Sequence, residues 1–200
     1  MSSSAQSDQS TPVPIYLLSG KKGVGKSTVA VLIQTLIPGT VELALATPLK
    51  NVCRTMFNLT DDQLYDEKSK EIIDERWGIS GRVIMQRIGD LFRNYLSVAC
   101  PDLKLDHTIF IQNLLTRIEQ VKKEQNPPAI IVSDMRMMDE KTILQQLPGA
   151  VSIKIIREIA GSSDSHISEA VPFDCDHTIH NNGSLSELVV QVANICKRVN

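Results

Sequence analysis

The stretch Ser19-Gly20-Lys21-Lys22-Gly23-Val24-Gly25-Lys26-Ser27-Thr28-Val29-Ala30 follows directly on the apolar run Ile15-Tyr16-Leu17-Leu18. Residues 20–27 satisfy G-x-x-x-x-G-K-[ST] at every fixed position. In that pattern the glycines let backbone N–H groups close around phosphate oxygens. The lysine, here Lys26, reaches the β- and γ-phosphates, and the following hydroxyl, here Ser27, ligates magnesium. An unbroken apolar run is the mark of a strand buried on both faces. The residues from Lys26 to Leu36 read as a helix closed by Pro38-Gly39. Strand, glycine loop and helix together form the context the motif requires. Gly23, Val24, Gly25, Lys26, Ser27 and Thr28 are therefore expected to hold ATP with Mg2+. Holding a triphosphate leaves open whether its last phosphate goes to water, to a small acceptor, or nowhere until a partner arrives.

Further strands are expected at 41–46, 129–134, 151–156 and 177–179. Helices are expected through most of 47–125, at 139–147, and from Ser184, where Glu187 completes a capping box. Strands alternating with helices predict an α/β fold of the P-loop NTPase type with a five-stranded parallel sheet. Residues 47–125 show no strand pattern and read as a helical, acceptor-binding insertion. Residues 158–174 are polar and irregular and read as a short lid. Residues 1–12 read as a disordered tail before a single domain at 13–200.

With 200 residues, 42% of them hydrophobic, the chain can bury one real core. Its net charge of -2, with no basic tract, argues against a nucleic-acid polymer or an acidic membrane as partner. Cys53, Cys100, Cys175 and Cys196 contain no CxxC pair, so neither a zinc knuckle nor a redox pair is expected. The N-terminus has no apolar core of a signal peptide, and no stretch reads as a membrane span.

Within Gly81–Leu96, Ile84, Ile88, Leu91 and Tyr95 form one apolar stripe of a helix, and Arg82, Gln86, Gly89 and Arg93 share another face. That second face offers two guanidiniums for phosphate, an amide for a base edge, and a bare spot where something flat can approach. A glycine inside a helix costs about 1 kcal/mol, so it is expected to have a reason. Asp134 and Arg136 follow the third strand at its carboxyl end, where open α/β sheets bind ligands. Asp134 is a candidate to orient magnesium or the attacking oxygen, and Arg136 to hold an acceptor phosphate. Arg157 closes the fourth strand, beside the lid, as a candidate for the transferring phosphoryl group. On the residues alone, a solvated flank and ordinary strand-end salt bridges remain open as alternatives.

Six elements, in order, resemble the deoxynucleoside monophosphate kinases of bacteriophages and large DNA viruses. They are SGKKGVGKST, ATPLK at 46–50, GRVIMQRIGDLFR at 81–93, IIVSDMRMMDE at 130–140, HISE at 166–169 and IHNNGSLSEL at 179–188. The resemblance implies ATP-dependent phosphorylation of a deoxynucleoside monophosphate to its diphosphate. It implies Lys50, Arg82, Gln86, Arg93, Arg136 and Glu140 around the acceptor, with His166 and Glu169 in the lid and Asn181, Asn182 and Gly183 near adenine. Lys22 and Trp77 are assigned to the acceptor side as well. Catalysis then falls to Lys26, Arg93, Asp134, Arg136 and Arg157, with Ser27 and Asp134 as metal ligands. A cytoplasmic address (the host cytoplasm for a viral source) and a homodimer through the insertion go with it. Ser27 departs from the phage pattern, where aspartate is usual. Phosphomevalonate kinases of the animal type share the loop, an SPLK-like segment, the pair Trp77-Gly78 and a strand ending like Ser133 to Arg136. They lack the arginine stripe and HISE. A third reading, from another class, is an ATP-driven switch of the partition-ATPase type, for which Lys21 speaks; the paired aspartates such a switch carries after its first helix are missing.

Overall fold

A computed structural model describes residues 11–103, 108–158 and 173–199. Strand β1 (Ile15–Ser19) is buried along its whole length, because parallel neighbours flank it and helices cover both faces. It pairs in parallel with β5 (Ile130–Met135) on one side and β6 (Ala150–Ile156) on the other. β2 (Val41–Leu43) adds to β5, and β7 (His177–His180) adds to β6. The sheet order is β2-β5-β1-β6-β7, the five-stranded parallel sheet that the strand pattern predicts.

Alternate residues of β1 feed two cores. Tyr16 and Leu18 pack with α1 (Lys26–Leu36) and α8 (Leu185–Val199). Ile15 and Leu17 pack with α6 (Ile109–Gln125) and α7 (Met138–Leu144). Among the described residues no helix is long and apolar enough to cross a membrane.

Of the segment 47–125 read as an insertion, α2 (Thr47–Phe57), α3 (Asp61–Tyr65), α4 (Gly81–Asp90) and α5 (Leu96–Ala99) stand at the sheet edge, while α6 packs on the sheet itself. The part at the edge has its own small core of Cys53, Leu59, Leu64 and Ile84. Three expectations are corrected here. β2 ends at Leu43, not at residue 46, because Ala44 to Ala46 turn into α2, whose first turn carries Pro48 without loss of a helical bond. The insertion is not strand-free: β3 (Ile73–Asp74) and β4 (Ile79–Ser80) form a short antiparallel hairpin, too short for any period to reveal. Finally, the apolar stripe of α4 does not continue to Tyr95. Residues Leu91–Tyr95 widen into a π-turn, which takes one residue more per turn and rotates the stripe off the core. Leu91 and Tyr95 are 47% and 62% exposed, while Phe92 turns inward to meet Phe110 edge-on at 6.1 Å.

The ends of the insertion are closed by local bonds. Thr60 and Gln63 form a reciprocal capping box at α3. Ser80 caps α4 by accepting the Val83 N–H. At α8 the Ser184 hydroxyl accepts the Glu187 N–H at 3.3 Å, one of the two bonds of the capping box that the sequence predicts.

Candidate active site

β1 delivers the chain to the phosphate loop through Gly20, at φ 151°, where an added Cβ would lie 2.5 Å from the Ile155 carbonyl oxygen of β6. Only glycine passes there. Gly25, at φ 103°, stands before α1 and against the Asn181 side-chain amide. Asn181 Nδ2 donates to the Val24 carbonyl at 2.8 Å, tying the loop to the end of β7. Lys26 Nζ lies in the loop's concavity, donating to the Gly20 and Lys21 carbonyls at 2.7 and 2.8 Å. Ser27 and Thr28 are exposed on the first turn of α1. Asn182 accepts the Glu158 N–H at 2.9 Å, joining the ends of β6 and β7 beside Gly183.

A cleft of ≈ 260 Å³ opens at the same carboxyl edge of the sheet. Its walls come from four places in the sequence: Ala46, Leu49 and Lys50 of the β2–α2 corner, Leu64 and Lys70 of the stretch around α3, Arg82, Gln86 and Arg93 of the α4 region, and Asp134, Arg136 and Glu140 at and after the end of β5. Its volume lies just below the lower end, about 300 Å³, of the usual size of small-molecule pockets. Asp134 accepts the backbone N–H groups of Leu45 and Ala46 at 2.7 and 2.9 Å. Arg117 Nη1 holds the Ala44 carbonyl from the other side at 3.0 Å. The corner that carries Lys50 is thereby pinned. Lys50 Nζ sits 3.8 Å above the Tyr65 ring, and its burial, offset in part by Asp134, lowers its pKa from the ordinary value.

Glu140 is buried, and burial pushes its carboxyl above the usual range despite two backbone bonds. Its Oε2 accepts the N–H groups of Arg136 and Met137 at 2.7 and 3.0 Å, closing the start of α7. Its Oε1 lies 3.8 Å from Arg93, whose guanidinium also stacks 4.9 Å from the Phe110 ring. Gly89 has a packing reason different from the expected one. A Cβ there would meet Leu49 Cδ2 at 3.3 Å and Arg93 Nη1 at 3.4 Å. The bare spot on the helix admits α2 and the Arg93 guanidinium, not a ligand.

At the phosphate-loop end of the cleft, five charges converge. Lys22 of the loop lies 3.1 Å from Glu67 and 3.4 Å from Glu71. Lys70 donates to Glu67 at 2.5 Å. Arg82 pairs through Nε with Glu71 and lies 3.7 Å from Glu67.

The structure thus brings together Lys50, Arg82, Gln86, Arg93, Asp134, Arg136 and Glu140. Lys22 reaches the cleft's edge through the two glutamates. Trp77 is not among the cleft residues; it sits in the hairpin, donating to the Phe57 carbonyl and packed edge-on against the Phe57 ring. Arg157 is exposed at the end of β6, outside the cleft lining. His166 and Glu169, with most of the expected lid, lie outside the described residues, as does most of the expected tail. Sequence reasoning missed Glu67, Lys70 and Glu71, whose only signal is a charged run in an otherwise unremarked loop. It also missed the loop clamp made by Asn181. Among the described residues no group of three or more His, Cys, Asp or Glu is placed to hold a metal ion.

Two comparisons with known proteins name a kinase family. A family model described as "Deoxynucleotide monophosphate kinase" matches residues 63–192, more than half of the chain. An Acanthamoeba polyphaga mimivirus protein named "Putative deoxynucleotide monophosphate kinase" is 36% identical over 156 residues, which is 76% of this chain and 78% of that one. A solved structure, TT1252 from Thermus thermophilus, superposes with a TM-score of 0.51 at 17% identity. It covers 94% of this chain and 98% of its own, a likeness of fold alone. The chain belongs to the deoxynucleotide monophosphate kinase family, and as a kinase of that family it phosphorylates a deoxynucleoside monophosphate at the expense of ATP.

Proposed function

We propose that the cleft holds the acceptor with its phosphate toward the phosphate loop and its base toward Gln86 and Glu140. The observation that carries this reading is the convergence of Arg82, Arg93, Arg136 and Lys50 on one cleft at the sheet edge from which the loop also rises. Four cations from three chain segments fit a phosphate monoester, which arginine grips in a bidentate fork.

In this reading the amides of Gly23 to Thr28 and the Lys26 ammonium hold the β- and γ-phosphates. An oxygen of the acceptor phosphate attacks the γ-phosphorus in line; the bond to the β–γ bridging oxygen breaks, and ADP leaves. The acceptor phosphate is already anionic, so the step needs no general base. Catalysis is positioning plus charge stabilisation, in which one well-placed arginine is worth about 10³-fold or more. Arg93 and Arg136 serve the acceptor and the developing charge, and Arg157 the phosphoryl group. Asn182 and Gly183 serve the adenine side. Lys22, His166 and Glu169 complete the acceptor side.

A magnesium ion fits the oxygen donors at hand, since the Ser27 hydroxyl is exposed at the start of α1 and P-loop sites draw their remaining ligands from phosphates and water. When bound, the ion would neutralise phosphate charge. Ser27 would hold it, and Asp134 would orient its shell while keeping the β2–α2 corner in place. The homodimer belongs to the same reading, with the exposed Leu91, Tyr95 and Val98 as its face; a monomer in sedimentation at all concentrations would remove it.

The test is ADP release with magnesium-ATP against dTMP, dGMP, dCMP, dAMP, their ribonucleotides and phosphomevalonate. Turnover with one or a few deoxynucleotides, lost by about 10³-fold in Arg93→Ala, is the expected result. Turnover with phosphomevalonate alone would overturn the reading.

A further inference from the structure

Lys22 of the phosphate loop and Lys70 and Arg82 of the cleft are all engaged by carboxylates of the insertion. Glu67 and Glu71 face them at distances of 2.5–3.7 Å, with the Arg82–Glu71 pair closer still. Lys70 and Arg82 line the cleft, but Glu67 and Glu71 do not. The glutamate side chains are 59% and 46% exposed, while Lys70 and Arg82 are only 14% and 19% exposed. Lys70 and Arg82 are therefore built into the cleft, Lys22 (35% exposed) meets the same carboxylates from the phosphate loop, and the carboxylates are the more solvent-exposed partners.

The charges are three positive and two negative, a surplus of one. A phosphate monoester carries close to two negative charges above its second pKa of about 6. It offers three acceptor oxygens where each carboxylate offers two, and it can replace both carboxylates without leaving the nest short of charge. Ion pairs whose carboxylates are half-exposed are weak enough to be exchanged. A neutral nucleoside has nothing with which to displace them.

We propose that Glu67 and Glu71 are specificity-determining counter-charges: they occupy Lys22, Lys70 and Arg82 until a dianionic phosphate monoester displaces them, and so set how tightly the acceptor binds. This inference rests on the kinase reading of the cleft. The competing role is a brace, in which the same ion pairs fasten the insertion to the phosphate loop and help the acceptor to bind.

The two roles predict opposite signs. Glu67→Gln, Glu71→Gln and the double variant of the full chain are compared with wild type. The probe is whichever of dTMP, dGMP, dCMP and dAMP the wild type turns over fastest. Its Kd is measured by calorimetry and its KM by ADP release. If the glutamates are counter-charges, the double variant binds about three- to tenfold more tightly, KM falls by a similar factor, and affinity falls more steeply with added salt because more bare cations meet the phosphate. The single variants show part of the gain, which keeps the test usable if the double variant folds poorly. An unchanged or weaker Kd, or an unchanged salt slope, overturns the proposal and assigns the pair to the brace. A wild type that releases no ADP with any acceptor would instead bring down the kinase reading.

Discussion

Asp134, at the end of β5, accepts the backbone N–H of Ala46 at 2.9 Å across 88 residues of sequence, and that of Leu45 at 2.7 Å. A carboxylate facing the amides at the start of α2 meets both unsatisfied donors and the positive end of the helix. The residue that the sequence offered as a metal partner thus also shapes the acceptor wall. Asp134→Asn keeps the size but turns one acceptor into a donor facing a donor. We expect a loss of about 1–3 kcal/mol, read as a lower urea midpoint, with a raised acceptor KM because Lys50 loses its fixed place.

Gly89→Ala sets two effects against each other. Alanine gains about 1 kcal/mol of helix propensity over glycine. Its Cβ crowds Leu49 and Arg93 at 3.3 and 3.4 Å. The guanidinium is the softer neighbour and yields first. The expected outcome is a nearly unchanged melting temperature with an acceptor KM raised severalfold. A variant that melts much lower but keeps its KM would show that Leu49, not Arg93, carries the contact.

Asn181→Ala removes the bond from Nδ2 to the Val24 carbonyl. A neutral hydrogen bond is worth about 0.5–1.5 kcal/mol, so the KM for ATP is expected to rise about two- to tenfold while acceptor KM stays near wild type. Titrations of each substrate at saturating levels of the other separate the two.

Asp74 anchors the hairpin of the insertion. Arg76 and Gln63 donate to its carboxylate and hold its pKa well below the ordinary 3.8. A carboxyl with a depressed folded pKa adds stability above its unfolded value and loses it as pH falls toward the folded one. Wild type is therefore expected to lose stability below about pH 3.8 in a way that Asp74→Asn, less stable at pH 7, does not. Chemical unfolding at a series of pH values gives both slopes.

Much of this enzyme can be read in one dimension. The phosphate loop is legible because its requirements are local: φ values that favour glycine, a lysine one residue before a hydroxyl, a buried strand before and a helix after. The runs Ile15–Leu18 of β1 and Ile130–Val132 of β5 announce themselves because burial on both faces favours apolar side chains throughout. The spacing of Arg82 and Gln86 foretold a shared face, and both line the cleft; Arg93 lines it too, although it stands in the π-turn.

What the chain alone could not display are pairings between distant segments. The π-turn at Leu91–Tyr95 accompanies the packing of Phe92 on Phe110, and a period drawn for an ideal helix carried Leu91 and Tyr95 to the wrong side. Gly89 looked like room for a ligand because its real neighbour, Leu49, is 40 residues away. Glu67 and Glu71 looked like an ordinary charged loop until the fold set them against Lys22 and Arg82. Local sequence determined the elements and the phosphate chemistry, since backbone geometry and burial act residue by residue. Tertiary structure alone decided which charges meet, because Coulomb forces and packing depend on distance through space and not along the chain.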